Sequence, residues 1–342
     1  MILRHKEMEL PFRHPFTISK GTKTVQPDLF VSLEWRGVAG YGEAPAITYY
    51  NTTTAGMADM LQQKKAEIER FAMTSPDRFW HFLHHLMPGR SFLTCALDIA
   101  AWDLQGKLLK KPLHEIWGIK PVNMPVTDYT IGIDSPERMV DKMLEKPWPV
   151  YKIKVGTPGD LDRLEALRRH TDSAIRVDAN GGWTLQEALD KIPRMKDLGV
   201  ELVEQPLAKD DWAGMKMLFD KSPLPLYADE SCVGEEDVDK CHGHFHGINI
   251  KLTKCGGITP ARRMIRRARE LDMKIMLGCM NESSIGSAAM VHLSPLVDHL
   301  DADGPLLLSE DVATGLRYHD DGHIDMPNGF GLGVDVKSGL FD

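Results

Sequence analysis

The sequence has no CxxC pair, no basic tail and no apolar run long enough to cross a bilayer. Each absence removes a class of protein. Its five cysteines (Cys95, Cys232, Cys241, Cys255 and Cys279) are odd in number and lack paired spacing. Neither a disulfide scaffold nor a zinc ribbon is expected, and reduced thiols in the cytoplasm fit the pattern. The formal net charge of -8 argues against a nucleic-acid or anionic-membrane partner. The opening stretch MILRHKEMELPF lacks the apolar core of a signal peptide, so a cytoplasmic location is the expectation. What is present is ordinary for a globular chain with a substantial core: 342 residues, 42% hydrophobic and 26% charged.

The organisation changes near residue 121. Before it, DLFVSLEW and VAGYGEA read as strands split by an Arg36-Gly37 turn. Helical stretches follow over about 54–72 and 92–109, the second with Ala96, Ile99, Ala100, Leu104 and Leu108 at helical spacing. KKPLHEIWG closes the segment, with Pro112 and Gly118 as punctuation. An α+β capping domain over residues 1–120 is expected.

After residue 121 eight short apolar strands alternate with amphipathic segments: 126–133, 151–155, 174–179, 201–205, 225–230, 247–252, 274–280 and 297–303. Repeated βα steps of this kind predict an α/β barrel over 121–309. Thr184 and Thr259 are expected helix N-caps, with Pro260 at a first helical position. GPLLLSEDVATG, after the eighth strand, has no clear helix, and NGFGLGVDV suggests that residues 310–342 return to the first domain.

Charged residues fall at one phase of successive strands. YKIKVG puts Lys152 and Lys154 on one face of the second barrel strand, with Ile153 and Val155 on the other. Asp178, Glu204 and Asp229 end the third, fourth and fifth strands. Taken singly, each acid reads better as a turn or loop residue. Three at the same phase would repel one another unless a cation lies between them, and an all-oxygen donor set suits Mg²⁺. A lysine beside another ammonium and a metal ion loses affinity for its proton and becomes a base. Lys251, ending the sixth strand, lies nearly across the barrel from Lys152 and Lys154. A carbon held between two such lysines can lose a proton on one side and regain one on the other. The metal would stabilise the enediolate formed next to a substrate carboxylate.

PFTISKGT, GYGEAPA, CALDIAAWDLQGK, YKIKVG, RVDANGGW, VEQPL, ADES, NIKLTKCGG and LDADGPLLL together resemble the enolase superfamily. The likeness is to its muconate lactonizing subgroup, and within that to dipeptide epimerases of the L-Ala-D/L-Glu type. It spans nearly the whole chain and implies a (β/α)7β modified TIM barrel with an α+β capping domain. It also implies Mg²⁺, one per active site, bound by Asp178, Glu204 and Asp229. Lys154 and Lys251 correspond to the acid/base pair, and Lys152 to the neighbour that lowers the base's pKa and contacts the substrate carboxylate. Asp301 and Asp303, in DADG, correspond to the pair that receives the dipeptide's α-ammonium. Thr130, Lys20 and Lys23 are placed with the substrate-binding residues, and Asn180, Glu230 and Lys254 behind the ligands. The implied reaction is inversion of the C-terminal residue's α-carbon by 1,1-proton transfer. The implied partner is a small dipeptide, without nucleic acid or membrane; a homo-oligomer is compatible with the likeness.

Other features narrow this reading. Acid-sugar dehydratases of the superfamily place a His on the seventh strand, where this chain reads GCMNES. The histidines of HFLHH (81–85) and CHGHFHG (241–247) are expected in surface or packing roles. The loop SKGTKT has no arginine for a substrate side-chain carboxylate; Lys20 and Lys23 are its cations, and Tyr49, Tyr50 and Asn51 flank the same expected pocket. Two alternatives stay open: o-succinylbenzoate synthase or cycloisomerase chemistry with the same lysines, and a non-catalytic ligand-binding barrel.

Overall fold

A computed structural model describes residues 1–341. The chain opens with a three-stranded antiparallel sheet: β1 (Ile2–Ile18), β2 (Gly21–Trp35) and β3 (Val38–Pro45). The first of these strands has no counterpart in the sequence reading. Pro11 and Pro15 interrupt its alternation, and its register with β2 shifts between Pro11 and Phe16. β2 buries both faces. Leu29, Val31 and Leu33 pack with Leu61, Phe79 and Leu83, whereas Phe30 joins Leu10 and Phe12 in the cluster continuous with the barrel. Each such buried side chain contributes roughly 1.5–3 kcal/mol.

Three helices cover this sheet: α1 (Thr54–Arg70), α2 (Pro76–Leu86) and α3 (Ser91–Leu109). α2 likewise has no counterpart in the sequence reading: it is only 11 residues long, and three histidines break up the apolar pattern of Phe79, Trp80 and Leu83. α3 is buried nearly all round and joins the two halves of the molecule. On one side β3 approaches so closely that a Cβ on Gly42 would lie 2.0 Å from the Ala96 carbonyl oxygen. On the other, Asp98 accepts from the backbone N–H and hydroxyl of Thr259, at 2.9 and 2.7 Å. Asp103 accepts from Tyr41 N–H at 2.9 Å and Leu332 N–H at 2.8 Å, which ties the C-terminal tail to this helix. Leu108, expected on the buried face, is exposed.

Eight parallel strands follow in sequential order: β4 (Tyr129–Ile131), β5 (Val150–Lys154), β6 (Ala174–Asp178), β7 (Val200–Glu204), β8 (Leu226–Ala228), β9 (Gly247–Ile250), β10 (Lys274–Gly278) and β11 (His299–Asp301). A bridge between Thr127 and Leu300 brings the ends together, giving a nearly closed barrel. Helices follow β4 through β10, but β11 is followed only by the four-residue turn of helix Gly304–Leu307. This is the (β/α)7β barrel with a sheet-and-helix cap.

Thr184 caps its helix in a reciprocal box with Glu187. Thr259 does not cap. Helix Ile258–Glu270 starts two residues earlier than expected, after Gly257, and the Thr259 side chain serves the junction with α3 instead. Pro260 is therefore the third helical residue rather than the first.

The cap also reaches the barrel through carboxylates. Glu43 of β3 accepts from Ser283 Oγ at 2.7 Å and from Gly286 N–H at 2.5 Å, at the start of helix Ser284–Val291. Asp28 is fully buried nearby, and neither of its oxygens has a hydrogen-bond partner. Among the described residues, no helix is long and apolar enough to cross a membrane.

Candidate active site

The strand register sets the site. Lys154 pairs with Asp178, and Asp178 with Glu204, on adjacent strands. Glu204 pairs with Tyr227, so Asp229 emerges two residues later, just past β8. The phase expected from sequence thus becomes a cluster: one oxygen from each of Asp178, Glu204 and Asp229 lies within 4.8 Å of the others. All three side chains are buried.

Lysines neutralise this cluster. Lys154 Nζ lies 2.6 Å from Asp178 Oδ2, and Lys251 Nζ lies 2.8 Å from Asp229 Oδ2. Lys152 Nζ reaches Asp301 Oδ2 at 2.7 Å, Glu204 Oε2 at 2.8 Å and Asp178 Oδ2 at 3.6 Å. Lys254 faces inward from behind: its Nζ is 2.6 Å from Asp229 Oδ1 and donates to the carbonyls of Asp229, Cys232 and Asn249.

These pairings alter the electrostatic expectation. Burial lowers the proton affinity of Lys152, but Asp301, Glu204 and Asp178 outweigh it, and its pKa rises well above the usual value. Lys251 is likewise raised, burial being overcome by Asp229. Among the protein's own groups, then, carboxylates hold the Lys152 and Lys251 protons firmly; the weakened hold expected from the sequence is that of a lysine with a cation beside it. Burial pushes Glu204 up to about 7, reinforced by Asp178. Asp229 is held well below the carboxylate range, because Lys251 and Lys254 overcome its burial.

The donor set fits a hard divalent cation. Beside the three carboxylates, Asn180 Oδ1 and Glu230 Oε2 are buried without a hydrogen-bond donor. Asn180 adopts a left-handed backbone (φ 47°) that lets its own N–H donate to Asp178 Oδ1 at 2.9 Å. A second trio, Cys279, Asp301 and Asp303, is equally close. Its thiol is kept protonated by burial and by the two acids, so its donors suit a cation less well.

A cavity of about 360 Å³ opens above these groups. Lys154 and Lys251 both line it, as do Asp229, Asn180, Glu230, Asp301 and Thr130. Asp303 is not among the lining residues. It is fully buried, accepts from Thr130 N–H at 2.6 Å, and is raised to about 7 by burial and Asp301. The expected pair of carboxylates is thus split: Asp301 faces the cavity and Asp303 stands behind it.

The cap closes the cavity with Phe16, Ile18, Lys20, Lys23, Tyr49 and Tyr50. Lys20 Nζ is 2.7 Å from Glu230 Oε1, whereas Lys23 donates to the uncharged Gln26 at 3.3 Å. Asn51 turns away and lines a different cavity with residues 89–93. The histidines do not assemble: His81, His84 and His85 are exposed on α2, while His244 packs on Trp212 and His246 on Phe219.

Sequence reasoning missed two amides. Asn249 Nδ2 donates to Glu204 Oε1 at 2.8 Å, and Gln205 Oε1 accepts from the N–H groups of Asp229 and Ser231. The signal for Asn249 was its place two residues before Lys251, on the same strand face. Gln205 gave none, because its side chain is aimed by a left-handed φ of 36°.

Residues 3–118 match the sequence profile of the mandelate racemase / muconate lactonizing enzyme, N-terminal domain, and residues 136–339 that of the enolase C-terminal domain-like family. The chain belongs to the mandelate racemase/muconate lactonizing enzyme family. Among its family relatives, the L-Ala-D/L-amino acid epimerase of Maribacter sp. is 48% identical, over 97% of this chain and 98% of that protein. The protein of the same name from Flavobacterium johnsoniae is 46% identical, over 98% of each. The dipeptide epimerase from Cytophaga hutchinsonii, solved with Mg and the dipeptide D-Ala-L-Val, superposes with a TM-score of 0.93 at 25% identity, covering 100% of this chain and 98% of that one. With such relatives along its whole length, the chain is an isomerase of the racemase and epimerase class.

Proposed function

We propose that the protein is a Mg²⁺-dependent dipeptide epimerase that inverts the α-carbon of the C-terminal residue by proton transfer between two lysines. The observation that carries this reading is that Lys154 and Lys251, from strands on opposite sides of the barrel, line one cavity beside three buried carboxylates. Asp178, Glu204 and Asp229 are the residues to hold the cation. When bound, Mg²⁺ supplies positive charge against the negative charge that builds at the substrate carboxylate as the α-proton leaves.

The chain's own groups do the rest. One lysine Nζ takes the α-proton from one face, and the other returns a proton to the opposite face. Each bonds a carboxylate of the cation site, so oxygens committed to a cation hold the lysine proton less firmly. Lys152, fixed by Glu204 and Asp301, keeps a positive charge beneath the substrate carboxylate. Asp301 receives the α-ammonium, with Thr130 on the neighbouring wall and Asp303 as its support. Lys254, Asn180 and Glu230 hold the cation-binding side chains in place. The five unpaired cysteines suit the cytoplasmic setting we assign.

For the second residue we favour L-Ala-D/L-Glu or a related dipeptide. Lys23, whose partner is uncharged, is the cation available for a side-chain carboxylate. An apolar second residue is the competing reading, supported by Phe16, Ile18, Ile47 and Met280 in the same wall. Incubation with Mg²⁺ in D₂O and a panel including L-Ala-L-Glu and L-Ala-L-Met separates them. Faster α-proton exchange of the Glu peptide supports the first reading and of the Met peptide the second. Exchange of none would remove the dipeptide assignment.

A further inference from the structure

Lys20 stands at the apex of the β1–β2 hairpin, where Ile18 pairs with Gly21 and leaves Ser19 and Lys20 as the turn. This hairpin walls the active-site cavity. Its apex is held lightly: Ser19 Oγ donates to the Ala179 carbonyl at 3.5 Å, and the nearest firm backbone bond is Ile133 N–H to the Thr17 carbonyl at 2.8 Å. The strong tether is ionic. Lys20 Nζ lies 2.7 Å from Glu230 Oε1 and 3.8 Å from the centroid of the Tyr49 ring.

Glu230 is not a bystander. It follows Asp229 in the chain and is buried at 6% exposure. The oxygen that receives Lys20 also accepts from Asn180 Nδ2 at 3.3 Å, and Asn180 N–H donates to Asp178 at 2.9 Å. A bonded path therefore runs from the cap, through Glu230 and Asn180, to a carboxylate of the cation site. The other Glu230 oxygen is buried without a donor.

We propose that Lys20 is a positioning residue that latches the hairpin to Glu230 and, by neutralising that carboxylate, weakens the site's hold on its divalent cation. The cation and Lys20 draw on the same buried negative charge, so each opposes the other. Coupling of this kind is reciprocal, and a bound cation loosens the latch by the factor that the latch loosens the cation. The inference rests on the cation reading above, and it removes Lys20 from the set of substrate ligands.

The test is calorimetric titration of the full chain with Mg²⁺, together with backbone hydrogen exchange over residues 17–23. Four proteins are compared: wild type, Lys20→Met, Glu230→Gln and the double variant, with Lys20→Arg as a conservative control. In Lys20→Met the Mg²⁺ Kd is expected to fall about threefold to tenfold, as for a unit charge removed at moderate effective dielectric, and hairpin exchange to quicken. Lys20→Arg is expected to stay within about twofold of wild type on both readouts, since the cation is retained. In the Glu230→Gln background, removing Lys20 is expected to change both by clearly less. An unchanged Kd in Lys20→Met, or an equal change in both backgrounds, would overturn the latch and leave the cation site standing. Failure of wild type to bind Mg²⁺ would overturn the cation reading and the latch with it.

Discussion

Asp178, Glu204 and Asp229 lie among lysines, whereas Asp28, Glu43 and Glu282, at the junction of cap and barrel, are buried with almost no positive charge near them. In the first cluster Lys154 and Lys152 overcome the burial of Asp178, and Lys251 and Lys254 that of Asp229, so both are held below the usual carboxylate range, while burial and Asp178 raise Glu204 between them to about 7. In the second, burial raises Glu43 to about 8 and Glu282 to about 7, and Asp28 is raised well above its ordinary value. A buried carboxylate survives either by keeping its charge and a partner or by keeping its proton. Only charged carboxylates attract a divalent cation, so the two clusters suit different work: one can bind and react, the other joins two halves of a molecule.

The largest effect that would break this contrast is on chemistry. Lys251→Ala is expected to reduce epimerisation by about 10³-fold or more while leaving the fold intact; steady-state turnover and circular dichroism check it. Retained turnover would make the lysine cluster structural, like the junction.

Next comes Lys152. Its replacement by Met strands Glu204 and Asp301, and the loss of a buried ion's partner costs about 3–5 kcal/mol. Denaturant unfolding is expected to show that loss, with Mg²⁺ restoring part of it.

The junction should answer to pH. Unfolded, Glu43 titrates near 4.5; folded, near 8. Between those values the unfolded chain binds fewer protons, so stability falls as pH rises, and this one group contributes a loss of about 3–5 kcal/mol by pH 8. Thermal unfolding of Glu43→Gln should therefore depend less on pH than wild type over this window, and parallel curves would remove Glu43 as the cause.

Smallest is a control outside both clusters. Thr184→Ala loses one capping box and is expected to cost about 1 kcal/mol with no change in turnover.

The lysine cluster was legible in the sequence because strand alternation and barrel order turn sequence phase into proximity. Lys152, Lys154 and Asp178 needed only the β-strand period and the βα repeat to be placed. The junction was not legible. Asp28 and Glu43 lie on different strands and Glu282 follows the seventh barrel strand, so only the docking of cap on barrel brings them together. The same holds for Lys20. Its sequence context suggested a free cation for substrate, and only the packed hairpin shows Glu230 at its end. Asp303 shows the limit of alternation itself: it shares a strand-end phase with Asp301, yet its bond to the backbone of Thr130 keeps it behind the wall.

The central claim is that Lys154 and Lys251 serve opposite faces of one carbon. Isotope exchange in D₂O with each epimer of the accepted dipeptide, in the Lys154→Ala and Lys251→Ala proteins, tests it most directly. The expected result is that neither variant inverts the centre, and that each still exchanges the α-proton of one epimer only, a different epimer in each variant. Exchange of the same epimer by both variants, or inversion retained in either, would contradict the claim.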